Sequence, residues 1–162
     1  MATTVKATLT ALNMIYFAIV MVLVTFSGVV IFLKISGANV PNEDLDAEVF
    51  RYVLYVLTPV GVAGGWLVYR QLLANLDKGL SLRGKLIRLQ FALLVRSSIM
   101  EVPALLAAVC AFLTFDLLFL AFTAMVVLVM LFLRPTNASI AEDLKLGEKD
   151  ASLLRSPESL LD

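Results

Sequence analysis

The chain has 162 residues, of which 60% are hydrophobic, and its 13 basic and 13 acidic residues cancel. An ordinary soluble domain carries roughly 45–50% apolar residues, and a single core of this size could not hide the excess. Balanced charge argues against a nucleic acid or an acidic partner. With no histidine and one cysteine, Cys110, an intrachain disulfide is excluded, and no metal or cofactor is expected.

A helix needs about 20 predominantly apolar residues to cross the hydrocarbon core of a bilayer. Four runs meet or approach that length: Ala11 to Leu33, Tyr52 to Ala74, Leu89 to Leu113 and Leu117 to Leu133. The last is at the short limit, so it is expected to stand upright or to use Arg134 as a snorkelling anchor. The first resembles a signal core with small residues, Ser36-Gly37-Ala38, behind it. Its length exceeds the roughly 7–15 residues of such a core, so it reads as a retained span. The expected fold is all-α, a polytopic bundle of four transmembrane helices over residues 1–146, followed by a flexible or weakly amphipathic tail, 147–162.

Charge gives an orientation. Between the second and third runs lie Arg70, Lys78, Arg83, Lys85 and Arg88 against Asp77. Between the first and second lie Glu43, Asp44, Asp46 and Glu48 against Lys34 and Arg51. The basic connection is expected on the cytoplasmic side, which puts both termini there, in agreement with Lys6 and Arg134. Pro41-Asn42-Glu43-Asp44 looks like a helix start with Asn42 as cap. Thr114-Phe115-Asp116 reads as a tight corner. Pro135 ends the fourth helix, and Thr136 can cap a short segment reaching about Leu146.

Arg96 and Glu101 are the ionisable residues deep inside a predicted crossing. A charge at the bilayer centre costs at least about 2.5–3.5 kcal/mol, so each needs a reason. Glu101 lies about 18 Å from either end of its run at 1.5 Å per residue. Arg96 is nearer the basic end and can lean toward it, so it is expected to snorkel, grouping with Arg83, Lys85, Arg88 and Arg134 as lipid anchors. About 140° separates Arg96 from Glu101 around the helix, too far for an ion pair. Glu101 shares its face with Gln90, Ser97, Ala104 and Ala108, a stripe of small and polar groups suited to close helix approach. Glu101, with Ser97 one turn back and Gln90 beyond, is the candidate proton or ion site. The alternative is a protonated carboxyl that holds helices together. Pro103 frees a backbone carbonyl nearby and favours the binding-site reading.

In the second run Gly61 and Gly65 stand at GxxxG spacing, with Gly64 between them and Pro59 just before. Packing against another helix of the same chain is the first reading and self-association the second. Tyr16, Tyr52, Tyr55, Trp66 and Tyr69 are read partly as interface anchors, Tyr52 and Tyr69 at opposite ends of one span. No GxSxG, phosphate loop, HExxH or dinucleotide fingerprint is present, so an enzyme is not expected.

Several short motifs between Leu80 and Leu146 occur together. They are a basic lead-in Leu82-Arg83-Gly84-Lys85-Leu86, a Glu-x-Pro-Ala-Leu core at Glu101 to Leu105, and the turn at Asp116. The exit reads Leu133-Arg134-Pro135-Thr136, with Asp143-Leu144 beyond. This stretch resembles a family of small four-span bacterial membrane proteins of unassigned function, best known from the Bacteroidetes. The resemblance implies a bacterial inner membrane and no particular activity. A mid-span carboxyl on a helical hairpin is also similar to rotor-ring subunits of ATP synthases. Their glycine-rich partner helix is missing here and the span count differs, so the activity is not carried over. The expected function is a subunit of a proton- or ion-coupled transport or energy-transducing assembly. The alternative is a structural or assembly protein that docks on a partner complex. Its partners would be the lipid bilayer and either further copies of itself or a larger membrane complex.

Overall fold

The structure, a computed structural model, describes residues 3–37, 46–74, 80–144, 146 and 160–161. Four long helices dominate it: α1, Val5–Ser36; α2, Ala47–Ala74; α3, Leu82–Thr114; and α4, Leu118–Phe132. A short α5, Asn137–Asp143, follows. Thr3–Thr4 and Leu160–Leu161 pair antiparallel in a two-residue ladder that brings the two ends of the chain together.

Three of these helices, α1, α2 and α3, are long and apolar enough to cross a membrane. The chain is built inside out. Phe132 is 88% exposed and Leu118 63% exposed, and large apolar side chains project outward from each of the four long helices. Water would penalise such a surface, whereas lipid tails solvate it.

The helices alternate in direction, and the core lies in three layers. At the end carrying Arg83, Lys85 and Arg88, Leu12 of α1, Leu73 of α2 and Leu89 of α3 pack with Ile140 and Leu144. The middle layer joins Tyr16, Val20 and Leu23 to Met100, Ala104, Val126 and Met130. At the opposite end Val30, Leu54, Ala111 and Phe119 meet. The 15-residue α4 is about 22 Å long, short of the roughly 30 Å hydrocarbon thickness. Pro135 ends it, and Thr136 starts α5 through a capping box with Ser139. At the basic end α5 occupies the place in the core that α4 is too short to reach.

Pro59 and Pro103 lie inside α2 and α3, and both helices continue through them. Ser81 caps α3 by accepting from the Gly84 N–H at 3.3 Å. At the start of α2 the carboxylate that accepts a backbone N–H is Asp46, from Glu48 at 2.9 Å. The expected start at Asn42 and Glu43 lies outside the described residues, as does most of the tail.

The corner between α3 and α4 is tied to both neighbouring helices. Phe115 adopts a left-handed conformation, φ 56°, which costs about 1–2 kcal/mol for a residue with a Cβ. Its carbonyl accepts from Lys34 Nζ. Asp116 accepts from the Leu118 N–H at 3.0 Å and from Arg51 Nη2 at 2.6 Å. Partial burial alone would raise the Asp116 pKa, but the Leu118 N–H, the Arg51 guanidinium and Lys34 outweigh it, and the carboxyl sits below its ordinary value. A lowered folded-state pKa adds stability above the unfolded value of about 3.9, lost as pH falls through the folded one. The apparent melting temperature in detergent should be flat above about pH 5 on this account and should fall on further acidification. Asp116→Asn should remove most of that acid limb, and salt should weaken it, since the pair is partly exposed.

Candidate functional site

The two intramembrane charges of α3 have opposite environments. Arg96 is 4% exposed and turns inward, away from the lipid it was expected to reach. Its Nη2 donates to the Leu133 carbonyl at 2.6 Å, at the C-terminus of α4. Pro135 and the helix end leave such carbonyls without helical donors, and a cation suits the negative end of the helix dipole. The guanidinium stacks over the Tyr69 ring, 4.5 Å from its centroid. It also lies beside the Tyr16 hydroxyl, which donates to the Met130 carbonyl. The Tyr69 hydroxyl donates to Asp143 Oδ2 at 2.6 Å. One side chain therefore ties α1, α2, α4 and, through Tyr69, α5 to α3.

Tyr16 and Tyr69 are accordingly core residues, 3% and 6% exposed, and not interface anchors. Tyr52, Tyr55 and Trp66 do face outward. Arg83, Arg88 and Arg134 are exposed at the basic end, and Lys85 is partly buried there. Sequence reasoning missed Tyr16 and Tyr69 as partners of Arg96, and Asp143 as the acceptor of the Tyr69 hydroxyl. The one local signal was the Leu133-Arg134-Pro135 exit, which guarantees orphan carbonyls in need of a donor.

Glu101 is partly buried, and among the described residues it has no hydrogen bond and no ion pair. Ser97, one turn back, is 1% exposed but does not bond it. Ser97 and Gln90 instead line a crevice against Leu12, Ile15, Tyr16 and Ile19 of α1. That crevice holds about 10 Å³, room for roughly one water. Ala104 and Ala108 are fully buried, and the Ala104 carbonyl accepts from Thr123 of α4 at 2.9 Å. The small residues of this face thus let α1 and α4 close on α3 and leave the carboxyl at the margin.

Gly61 and Gly65 face α3 of the same chain. A Cβ on Gly61 would lie 2.8 Å from Pro103 Cγ, and one on Gly65 would lie 3.0 Å from the Arg96 carbonyl oxygen. The glycine pair thus serves packing within the chain.

No family model, curated protein or solved structure matches the chain. Fold and side-chain placement define a class: a multi-pass helical membrane protein with a buried arginine between its helices and a carboxylic acid that has no partner among the described residues.

Proposed function

We propose that the chain crosses a bacterial inner membrane four times, with both termini cytoplasmic, and works as a subunit of a proton- or ion-linked membrane assembly in which Glu101 is the titrating group. The fourth crossing would be α4, completed by α5. The antiparallel packing of the four helices and the pairing of the chain's two ends favour an even number of crossings.

The observation that carries the reading is the solitude of Glu101. A mid-bilayer acid without a partner among the described residues is costly, and an intramembrane acid is by default a working one. Its company would be a neighbouring subunit or an ion. The Ser97–Gln90 crevice, on the same face, offers a single water position toward the basic end.

Glu101→Gln is expected to leave expression, helix content and complex size unchanged while abolishing the ion-linked phenotype. Glu101→Leu should abolish it too and should stabilise the isolated chain, because an acid with no partner among the described residues is replaced by an apolar side chain. A pH-dependent carbodiimide adduct at Glu101 in native membranes would report a titrating carboxyl. If both variants alter thermal stability alone and function persists, the acid is a packing element and the reading fails.

A further inference from the structure

The basic end of the bundle holds an open cavity, independent of Glu101. It lies between the last turns of α2 and the end of α5 and encloses about 630 Å³, within the roughly 300–1,000 Å³ of small-molecule sites. Its walls include Leu67, Tyr69, Arg70 and Gln71 of α2 and Glu142 and Asp143 of α5.

Charge is divided across it. Arg70 stands on the α2 side, its guanidinium over the Trp66 ring at 4.4 Å from the centroid. Glu142 and Asp143 stand on the α5 side, in its last turn, where the carbonyl end of the helix adds negative charge. Asp143 accepts from the Tyr69 hydroxyl. Glu142 has no ion pair among the described residues, and neither acid closes onto Arg70. An anion alone would meet both carboxylates, and a cation alone would leave the guanidinium without a counter-charge. A molecule that carries both a phosphate and an ammonium suits the two walls together.

The surroundings point to a lipid as the carrier. Arg70 is four residues before the end of α2 at Ala74, about 6 Å along the axis, which is headgroup height for a span ending there. Val56, Val60, Ala63 and Leu67 form one exposed apolar stripe at helical spacing, and Leu67 carries it into the cavity. Such a stripe takes an acyl chain, and a soluble zwitterion has no use for it.

We infer that this cavity seats the headgroup of a phosphatidylethanolamine, with a chain of the lipid along the Val56–Leu67 stripe. The phosphate accepts from the Arg70 guanidinium and the Gln71 amide, and the ammonium donates to the Glu142 and Asp143 carboxylates. A choline headgroup has no N–H to donate, and a glycerol headgroup has no cation. The inference rests on the membrane embedding of α2 and not on Glu101.

Trp66 is the only tryptophan of the chain and stacks against Arg70, so it reports the lipid beside it. The full chain is placed in phosphatidylcholine nanodiscs that contain a minor fraction of one lipid with acyl chains brominated near the headgroup. That lipid is phosphatidylethanolamine, phosphatidylglycerol or phosphatidylcholine in turn. At equal fractions the ethanolamine lipid is expected to quench Trp66 most, as if enriched several-fold over its share of the bilayer. Glu142→Gln should lower that enrichment about threefold, the loss of one partly exposed charge pair. Its melting temperature should not change, because Glu142 has no partner among the described residues. Glu142→Lys should shift the preference to the glycerol lipid. Glycerophosphoethanolamine, the same headgroup without chains, should compete poorly. Equal quenching by all three lipids, or strongest quenching by the glycerol lipid in the unaltered protein, would overturn the inference. So would an undiminished ethanolamine preference in Glu142→Gln, or displacement by glycerophosphoethanolamine at matched concentration, which would assign the cavity to a soluble zwitterion.

Discussion

Arg96→Ala is expected to lower the apparent melting temperature of the purified protein more than any other truncation of a polar side chain in the bundle. The substitution removes a charge-assisted hydrogen bond to the Leu133 carbonyl at 2.6 Å and the stack on Tyr69, and it leaves a cavity at the meeting point of four helices. Bonds of that kind contribute about 1.5–3 kcal/mol each, and the orphaned carbonyl and the void add to the loss. A total of about 3 kcal/mol or more follows, at the upper end of single-residue effects. Arg96→Met should recover much of the loss, because it restores volume and no longer requires a buried cation, yet it leaves Leu133 without a donor. Arg96→Lys should fall short of wild type, since an ammonium cannot stack on Tyr69 while reaching the carbonyl. Thermal scans in one detergent at one rate make the comparison, because unfolding of such proteins is commonly irreversible. Wild-type stability in Arg96→Ala would show that the network contributes nothing.

The second large effect concerns the approach of α2 to α3. Gly61→Ala places a methyl 2.8 Å from Pro103 Cγ and 3.2 Å from Cδ, in a ring that cannot swing aside. Gly65→Ala meets the Arg96 carbonyl oxygen at 3.0 Å, which is backbone, and Met100 Cγ at 3.0 Å, which can move. Overpacking of this kind costs about 1–3 kcal/mol, offset by up to about 1 kcal/mol of helix propensity. Gly61→Ala is therefore the more harmful, and leucine at either position should prevent the helices from docking. A methyl on Gly64 would have nothing within 4 Å, so Gly64→Ala is expected to be neutral or stabilising. Parallel expression and melting measurements on the three alanine variants separate them. A variant at Gly61 that keeps its stability and loses only self-association would mean that this face meets another copy.

The two effects are coupled through one place. The Arg96 carbonyl touches Gly65 while the Arg96 side chain reaches α4, so a shift of α2 displaces the guanidinium from its acceptor. Double substitutions at Gly65 and Arg96 are therefore expected to be non-additive.

Glu101 and Arg96 also mark where sequence reasoning reaches and where it stops. Helical period alone separates them by about 140° and excludes their pairing; no ion pair joins them. The same period does not decide which of the two is enclosed. Side-chain length alone sends Arg96 to the lipid surface, because it is long enough to reach it. The structure encloses it because a carbonyl, a hydroxyl and an aromatic ring, from parts of the chain remote in sequence, converge on that point. The same remoteness hid Tyr16, which bonds a carbonyl 114 positions away, and Tyr69, which bonds a carboxylate 74 positions away.

Apolar run length, the basic connection, the Asp116 corner, the Pro135 stop with its Thr136 cap, and the glycine pair were all legible from residue order. Each depends on the composition or geometry of one or two turns. Tertiary structure alone decided the rest: which face of α3 meets which helix, that α5 completes the layer α4 cannot reach, and that Glu101 stays without a partner among the described residues. These outcomes follow from packing between helices. Sequence spacing sets the face a residue occupies, but not what another helix presents to it.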